Sequence, residues 1–491
     1  MITVPDRTSY DNRNLTLLCD FYELTMANGY FCHEMTDTTA VFDYFFRRIP
    51  DDGGFAISAG LEQVIEYLEN LKFTEEDLSY LTKRGMNAGF IDYLRHFEFK
   101  CDVWGIREGT PIFPGEPIIR VRGPIIQAQL IETSLLLTMN HQSLIATKAS
   151  RIVRAAEGRT VMEFGSRRAH SYDAANYGAR AAYIAGAALS ANTWTDIHMG
   201  IPAGGTMAHS WVESFDNEFD SFKAYAETYP DNCVLLVDTY DTLHCGVPDA
   251  IKTAHEILEP MGKRLKGIRL DSGDIAYLTK KARSMLDDAG LGDCQICASN
   301  SLDERIIRSI LDQGAKVDSF GVGENLITAR SEAVFGGVYK LVAIYDEKGN
   351  LVPKMKVSDN IEKITTPSFK QVWRLFDKKD DHPFADVIML DNETISDGKP
   401  YEIFDPLDTT KRKVVSDFYT RKLLEPIYLK GKLVYQCPDL SEIRNYCSVQ
   451  VNNLWPEVRR FDNPHKYYVD LSQNLWDLKM NLLKTIRKYG D

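Results

Sequence analysis

The chain has 491 residues, of which 44% are hydrophobic and 26% charged, and its formal net charge is −13. This length exceeds what one hydrophobic core normally covers, so we expect two or three domains. The acidic charge argues against non-specific binding to nucleic acids and anionic membranes. No apolar run approaches the roughly 18 residues that span a bilayer, and the N-terminal sequence lacks a signal-peptide core. We therefore expect a cytoplasmic protein.

Residues 1–140 mix helical patterns with short apolar runs and are predicted to form an N-terminal α/β domain. The run at 41–46 (VFDYFF) predicts a strand. Turn signals at 113–115 (FPG) and 122–124 (RGP) bracket a second strand-like run around 117–121.

Residues 141–345 are predicted to form an irregular (β/α) barrel. Several short apolar runs end in small or charged residues, and stretches of helical length, such as 251–264 and 275–289, separate most of them. Alternating strands and helices predict parallel strands with covering helices. Small or charged residues that recur at the same end of several strands are hard to explain as core packing, whereas they are typical of barrel active sites. The runs are 161–168 (VMEFGSRR), 234–241 (VLLVDTYD), 267–274 (GIRLDSGD), 296–300 (ICASN) and 317–323 (VDSFGVG).

Two segments carry candidate site residues, one of them between these runs. His209 follows two glycines in 204–210 (GGTMAHS), before an aromatic stripe of helical spacing. At a helix start, a neutral imidazole is favoured and can act as base, ligand or phosphoryl acceptor, although a lone histidine is often structural. In 267–274, Arg269 suits a carboxylate or phosphate, and Asp271 and Asp274 suit sugar hydroxyls or Mg²⁺. The alternative for that segment alone is a surface salt bridge beside a tight turn.

The nine cysteines show no disulfide framework, because their number is odd and their spacing irregular. Cys294 and Cys297 form a C-x-x-C pair, which suits redox or zinc chemistry. No second pair lies nearby, and Cys297 stands inside the apolar run QICAS. Buried structural thiols are therefore the favoured interpretation.

Residues 346–491 are predicted to form a C-terminal segment that packs back on the N-terminal domain. A turn is predicted at 346–350 (DEKGN) and a hairpin at 428–434 (YLKGKLV). Apolar residues at helical spacing with a basic end predict a terminal helix over 468–489.

Taken together, these motifs resemble the nicotinate phosphoribosyltransferases, which are type II phosphoribosyltransferases, over nearly the whole chain. The motifs are 19–27 (CDFYELTMA), 163–170 (EFGSRRAH), 205–210 (GTMAHS), 269–274 (RLDSGD), 319–326 (SFGVGENL), 336–342 (GGVYKLV) and 463–472 (NPHKYYVDLS). The resemblance implies an irregular α/β barrel plus an α/β domain built from both chain ends. It also implies transfer of phosphoribose from phosphoribosyl pyrophosphate to nicotinate in NAD salvage, with ATP hydrolysed through a phosphohistidine, and Mg²⁺ as cofactor in a homodimer.

The resemblance implies a role for each matching residue. Phe164 would stack on the pyridine ring, and Tyr22 from the partner subunit would cover its other face. Thr206 and Arg269 would hold nicotinate, with Arg269 near its carboxylate. The remaining implied roles are phosphate binding by Arg167, phosphorylation of His209, ribose binding by Asp271, and a 5-phosphate cradle formed by the backbone around Ser299, Asn300, Gly321 and Gly323.

Two departures and two rival functions qualify this expectation. Glu324 stands where many family members carry a small hydroxyl residue, so we leave it out of the phosphate site, and residues 189–196 fit the family's glycine-rich turn poorly. The related nicotinamide enzyme carries an aspartate that, aligned on the GIP at 200–202, falls on Ala191. A carboxylate there would repel nicotinate, so its absence favours the acid. A non-catalytic nucleotide-binding barrel would lack the charged strand ends.

Overall fold

The computed structural model describes residues 13–358 and 364–488, and the side chains to 486. The chain is divided into two compact units. One unit contains the described residues up to Leu144 and from Val334 onward, and the other contains Ile145–Ala333. Tyr489, the predicted end of the terminal helix, lies outside the described residues.

The described α-helices, in chain order, are α1 (Phe21–Cys32), α2 (Leu61–Glu69), α3 (Glu75–Lys83), α4 (Ala88–Arg95), α5 (Ile125–Leu130), α6 (Glu132–Ala155), α7 (Tyr172–Ile184), α8 (Thr193–Met199), α9 (His209–Glu213), α10 (Glu218–Thr228), α11 (Val247–Thr253), α12 (Ile275–Asp288), α13 (Glu304–Asp312), α14 (Glu324–Ile327), α15 (Leu440–Asn453) and α16 (Gln473–Lys488).

The described strands are β1 (Thr39–Phe45), β2 (Ala56–Ile57), β3 (Asp102–Ile106), β4 (Pro111–Ile112), β5 (Ile119–Pro124), β6 (Thr160–Glu163), β7 (Leu189–Ser190), β8 (Val234–Leu236), β9 (Gly267–Leu270), β10 (Gln295–Ala298), β11 (Ser319–Val322), β12 (Val338–Tyr345), β13 (Leu351–Pro353), β14 (Lys370–Asp377), β15 (Pro383–Leu390), β16 (Tyr401–Phe404), β17 (Arg412–Val415), β18 (Phe418–Lys422), β19 (Leu424–Leu429), β20 (Lys432–Leu433) and β21 (Tyr468–Leu471).

The first unit is built on a seven-stranded sheet with the order β13-β12-β1-β5-β3-β19-β20. Strand β3 pairs antiparallel with β19, so segments from the two chain ends share this sheet. A four-stranded sheet (β18-β14-β15-β21) and two small two-stranded sheets complete the unit. A buried ion pair between Lys370 and Asp43 also connects distant segments of the chain, and a second, between Arg374 and Asp386, joins the adjacent strands β14 and β15.

The second unit contains a six-stranded sheet with the order β7-β6-β11-β10-β9-β8. Every pair in this sheet is parallel, as expected for strands separated by helices. Strands β7 and β8 are its edges, so the sheet forms a curled half-barrel. The predicted α/β fold and the five predicted strands are confirmed, and β7 is an additional strand that the sequence did not indicate.

One large apolar core stabilises the second unit on the side of β8, β9 and β10. It includes Val212, Phe222, Leu235, Ile268 and Ile296, all buried. Cys294 and Cys297 are also buried free thiols, as the apolar run predicts. Within the described ranges, no helix combines the length and apolarity needed to cross a bilayer.

Three local predictions are wrong. The predicted turn at 122–124 lies inside strand β5, and residues 468–471 form strand β21 before the terminal helix begins at Gln473. The helix predicted over 251–264 is interrupted, because α11 ends at Thr253 and passes into a π-turn and then a 3₁₀ turn that ends at Met261. The hairpin at 428–434 is confirmed by the pairing of β19 with β20.

Candidate active site

Arg269, the third residue of β9, is the centre of a polar cluster at the carboxyl ends of the parallel strands. Its Nε donates to Ser299 Oγ at 2.9 Å, and Nη1 donates to Thr206 Oγ1 at 3.1 Å. Its Nη2 donates to Asp271 Oδ1 at 3.1 Å, and the Arg269 side chain is 14% exposed. The structure therefore brings four of the predicted site residues into one hydrogen-bonded group.

Asp271 is held in place by Asp238, a residue that we did not predict to be in the site. One oxygen of Asp238, Oδ2, accepts hydrogen bonds from the Asp271 N–H and from Ser272 Oγ, both at 2.7 Å. Asp238 is nearly buried. It follows the apolar run VLLV, so its position past a strand end was the signal that could have identified it. Asp271 itself accepts a 2.5 Å hydrogen bond from Ser299 Oγ.

His209 is the first residue of helix α9, next to the same carboxylates. Its Nε2 lies 3.8 Å from Asp271 Oδ2, its Nδ1 lies 3.2 Å from Thr239 Oγ1, and its side chain is 39% exposed. The imidazole therefore contacts the polar cluster and remains open to an incoming group. The predicted helix start at His209 is confirmed, but the aromatic stripe that follows is divided between two helices, because α9 ends at Glu213 and Asn217 caps a new helix, α10.

Phe164, just past the end of β6, adds a flat apolar surface to the cluster. Arg269 Cζ lies 5.6 Å from the centre of the Phe164 ring. A Cβ atom at Gly321 would lie 2.5 Å from Phe164 Cδ2, and one at Gly323 would lie 3.1 Å from the Phe164 carbonyl oxygen. Both glycines are therefore needed to let the neighbouring strand approach the ring and its backbone.

Glu163 is a second positioning residue that the sequence did not reveal. It is fully buried at the end of β6, where it accepts hydrogen bonds from the Gly165 N–H and from Ser190 Oγ. Burial raises the pKa of Glu163, although these two hydrogen bonds favour the carboxylate. Glu163 thus connects the turn that carries Phe164 to strand β7. A buried acid within a strand gives no sequence signal that separates it from a core position.

The arginines after Phe164 lie in an exposed 3₁₀ turn, Ser166–Arg168. Arg168 Nε lies 3.9 Å from Glu324 Oε2, and Arg330 Nη1 lies 3.3 Å from Glu324 Oε1. The two guanidinium groups thus pair with the Glu324 carboxylate. This pairing offsets the repulsion that a carboxylate would exert on a phosphate bound at the neighbouring loop. Arg167 is exposed.

The remaining predicted residues lie in two places. Asn300, next to Ser299, has φ 83°, the left-handed region that asparagine tolerates better than most residues. Tyr22 belongs to the other unit, on α1, where the residue is 44% exposed. A cleft of about 410 Å³ is lined by Ser166 and residues between 169 and 194. We assign the chemistry to the strand-end cluster instead, because that cluster holds the charged groups.

The segment 189–196, which fits the family pattern poorly, is well ordered by hydrogen bonds. The Ala191 N–H donates to the Glu163 carbonyl at 2.8 Å, and Asn192 caps α8 by accepting from the Trp194 N–H. No carboxylate stands at position 191.

Parallel strands and a strand-end cluster of arginine, carboxylates and histidine define an enzyme of the α/β class.

Comparisons with known proteins identify the family. Models described as the nicotinate phosphoribosyltransferase N-terminal domain, family and C-terminal domain match residues 17–140, 160–380 and 369–479. The chain belongs to the nicotinate phosphoribosyltransferase family. It is 45% identical to nicotinate phosphoribosyltransferase of Bacillus subtilis (strain 168) over 97% of each chain. It is 34% identical to the Dictyostelium discoideum protein of that name, over 95% of this chain and 88% of the relative.

Solved structures agree with this assignment. The chain is similar to human nicotinic acid phosphoribosyltransferase, with a TM-score of 0.84 and 28% identity, over 95% of this chain and 100% of the human one. It also shares its fold with nicotinate-nucleotide pyrophosphorylase from Pyrococcus furiosus, with a TM-score of 0.69 and 24% identity, over 91% of this chain and 98% of that one.

Proposed function

We propose that this enzyme joins nicotinate to 5-phosphoribosyl 1-pyrophosphate, giving nicotinate mononucleotide and pyrophosphate in NAD salvage. The observation that carries the proposal is the Arg269 cluster at the strand ends, in a chain whose relatives bear the name of this activity. The pyridine nitrogen lone pair forms the bond to ribose C1 as the bond from C1 to the pyrophosphate oxygen breaks. No proton is transferred in this step, so positioning and charge provide most of the catalysis.

Nicotinate is proposed to stack on Phe164 with its carboxylate towards Arg269. The proximity of the Phe164 ring to the guanidinium, 5.6 Å, supports this orientation. Three of the five guanidinium N–H groups are used by Thr206, Ser299 and Asp271, which leaves one on each terminal nitrogen for a carboxylate. Asp271 is proposed to address the ribose, where a carboxylate stabilises positive charge that develops at C1.

The leaving pyrophosphate is proposed to be stabilised by Arg167 and by Mg²⁺. Among the residues that the structure describes, no group of three or more His, Cys, Asp or Glu side chains is arranged to hold a metal ion. Mg²⁺ in such enzymes is commonly held by substrate phosphates plus one or two carboxylates. Asp271 and its neighbour Asp238 fit that role, and the ion would neutralise charge on the pyrophosphate.

ATP is proposed to phosphorylate His209. An imidazole nitrogen would bond to the γ-phosphorus as ADP leaves, and water would later release phosphate. The partial exposure of His209 and its contacts with Thr239 and Asp271 support this role. Phosphorylation would add negative charge beside Asp271, so binding of a cation or loss of pyrophosphate would be coupled to the state of His209.

A homodimer with shared sites is proposed, in which the partner subunit's Tyr22 covers the nicotinate ring. The exposed side chain of Tyr22 on α1 supports the availability of this ring. Mixing inactive Tyr22→Ala protein with inactive Arg269→Ala protein is expected to restore part of the activity through hybrid dimers. If the subunits exchange and no activity returns, the sites are not shared.

The catalytic domain is proposed to lie within residues 141–345, in the second unit, Ile145–Ala333. The rest of the subunit would be formed by 1–140 and 346–491 together with strand β12 (Val338–Tyr345), which pairs with β1. We also place the enzyme in the cytoplasm. All nine cysteines are free thiols, four of them not fully buried, which is typical of a reducing compartment.

One assay tests the proposed function. The protein is incubated with phosphoribosyl pyrophosphate and nicotinate, nicotinamide or quinolinate, each with and without ATP and Mg²⁺, and the nucleotides are separated by chromatography. Nicotinate mononucleotide is expected from nicotinate, at a higher rate with ATP. Because position 191 carries no carboxylate, equal efficiency with nicotinamide would contradict the proposed specificity. If only quinolinate gave a product, quinolinate and not nicotinate would be the substrate.

A further inference from the structure

The loop after strand β10 holds an unusual backbone conformation at the edge of the active site. Asn300 and Ser301 have φ values of 83° and 45°, which place two consecutive non-glycine residues in the left-handed region. Such conformations cost free energy and persist only where the surrounding structure enforces them. The loop begins at Ser299, which is bonded to both Arg269 and Asp271.

The conformation leaves backbone donors available to a ligand. Across the described ranges, the N–H groups of Asn300, Ser301 and Leu302 have no hydrogen-bond acceptor within the chain. Asn300 and Ser301 are exposed, so these donors can reach solvent. Successive N–H groups in such a turn form a concave site that favours an anion.

The far end of this loop is fixed by a buried ion-pair network. Glu304, the first residue of α13, is 3% exposed. Lys148 Nζ lies 2.9 Å from its Oε1 and 2.8 Å from its Oε2, and Arg151 Nε donates to Oε1 at 3.0 Å. Burial alone would raise the pKa of Glu304, but the two cations and the hydrogen bonds more than offset this effect and lower it. Glu304 is therefore held as a carboxylate.

A second contact fixes the middle of the loop. Asn325, 8% exposed at the start of α14, donates from Nδ2 to the carbonyl oxygens of Ser301 and Leu302, at 2.9 and 3.1 Å. Lys148 also donates to Ser331 Oγ at 2.8 Å, which ties the network to the segment after α14. The left-handed loop is thus held from two sides, by the ion pairs of Glu304 and by the side chain of Asn325.

We propose that Glu304, with Lys148, Arg151 and Asn325, is a positioning network that holds the loop of residues 299–302 open for the 5-phosphate of the ribosyl substrate. The inference rests on the proposed function and adds residues that contact neither nicotinate nor the breaking bond. Glu304 and Asn325 act through the loop: they fix its strained backbone before the phosphate arrives, so that no binding energy is used to order it.

Two variants test the network in the full-length enzyme. Asn325→Ala removes the carbonyl contacts but keeps the ion pairs, and Glu304→Gln removes the charge that organises Lys148 and Arg151. In both, the Michaelis constant for phosphoribosyl pyrophosphate and the inhibition constant for ribose 5-phosphate are expected to rise about tenfold. The inhibition constant for pyrophosphate and the Michaelis constant for nicotinate are expected to change less than about twofold.

A matched control separates positioning from stability. Asp386→Asn breaks another buried ion pair, with Arg374, in the other unit. It is expected to lower the melting temperature without changing the ratio of the two Michaelis constants. If Glu304→Gln does not fold, Asn325→Ala alone decides the outcome. A lower melting temperature with unaltered ribose 5-phosphate inhibition, or equal losses for ribose 5-phosphate and pyrophosphate, would show that the network does not position the phosphate loop. Absence of any product from the unmutated enzyme would instead refute the proposed function.

Discussion

Replacing Arg269 by lysine tests the orientation of nicotinate. The guanidinium already donates to three groups and, with five N–H groups, has one left on each terminal nitrogen. A lysine ammonium cannot meet a carboxylate through two parallel bonds and also keep the contacts with Thr206 and Ser299. Loss of a charge-assisted pair in a desolvated site costs on the order of 2–5 kcal/mol. At 1.36 kcal/mol per factor of ten, this predicts a fall in kcat/KM for nicotinate of about 30-fold to a few thousand-fold.

The assay measures kcat/KM for nicotinate and nicotinamide and KM for phosphoribosyl pyrophosphate on the same Arg269→Lys protein. We expect a steep loss for nicotinate and a smaller advantage of the acid over the amide. Arg283→Lys is the matched control, because Arg283 is also a partly buried arginine that donates to three groups, but on helix α12. An unchanged acid-to-amide preference with weaker binding of phosphoribosyl pyrophosphate would show that Arg269 serves the pyrophosphate substrate instead.

Three further predictions concern single residues. His209→Ala is expected to abolish labelling by γ-labelled ATP while some ATP-independent transfer survives, and His244→Ala, an exposed histidine, is expected to label normally; undiminished acid-labile label in the first variant would remove His209 from this role. Gly321→Ala is expected to displace the Phe164 ring, whose Cδ2 would lie 2.5 Å from the new Cβ, and to lower kcat/KM for nicotinate about tenfold; an unaffected constant would contradict ring stacking. Burial and nearby acids raise the pKa of Glu218 from 4.5 to about 7. The stability contributed by its protonated form is complete below 4.5 and is lost as pH rises to 7, so Glu218→Gln should be about 1–2 kcal/mol more stable than the parent at pH 8 and equal to it at pH 4. Equal stabilities at both pH values in urea unfolding would refute this prediction.

The parallel strands were predictable because their apolar runs end in charged or small residues. The runs before Arg167, Asp238, Asp271 and Asn300 all proved to be strands of one sheet. Strand β7 was missed because it has only two residues and is defined by its neighbour β6. Short edge strands lack the length that gives a periodic signal.

Local helix boundaries were less predictable, for reasons of tertiary context. The aromatic stripe after His209 has helical spacing, but Asn217 accepts a hydrogen bond from the Asp220 N–H and starts a separate helix. The terminal pattern begins one strand too early, because the alternating residues of β21 pair with β15. Periodicity alone cannot decide between a strand that finds a partner and a helix.

The charged members of the site were predictable from strand-end position and resemblance, whereas its supporting residues were not. Asp238 and Glu163 act by hydrogen bonds to the backbone and to serines, and such contacts depend on which strands are adjacent. The ion pair of Glu324 with Arg168 likewise joins residues far apart in sequence. These interactions require three-dimensional proximity that spacing in one chain does not encode.

We propose that the strand-end cluster selects nicotinate as the phosphoribosyl acceptor. The most direct measurement places equal concentrations of nicotinate and nicotinamide in one reaction with limiting phosphoribosyl pyrophosphate, ATP and Mg²⁺. The ratio of the two mononucleotides equals the ratio of the two kcat/KM values. We predict that nearly all of the product is nicotinate mononucleotide, with one pyrophosphate released per nucleotide formed. Comparable amounts of the acid and amide products would show that this cluster does not select nicotinate.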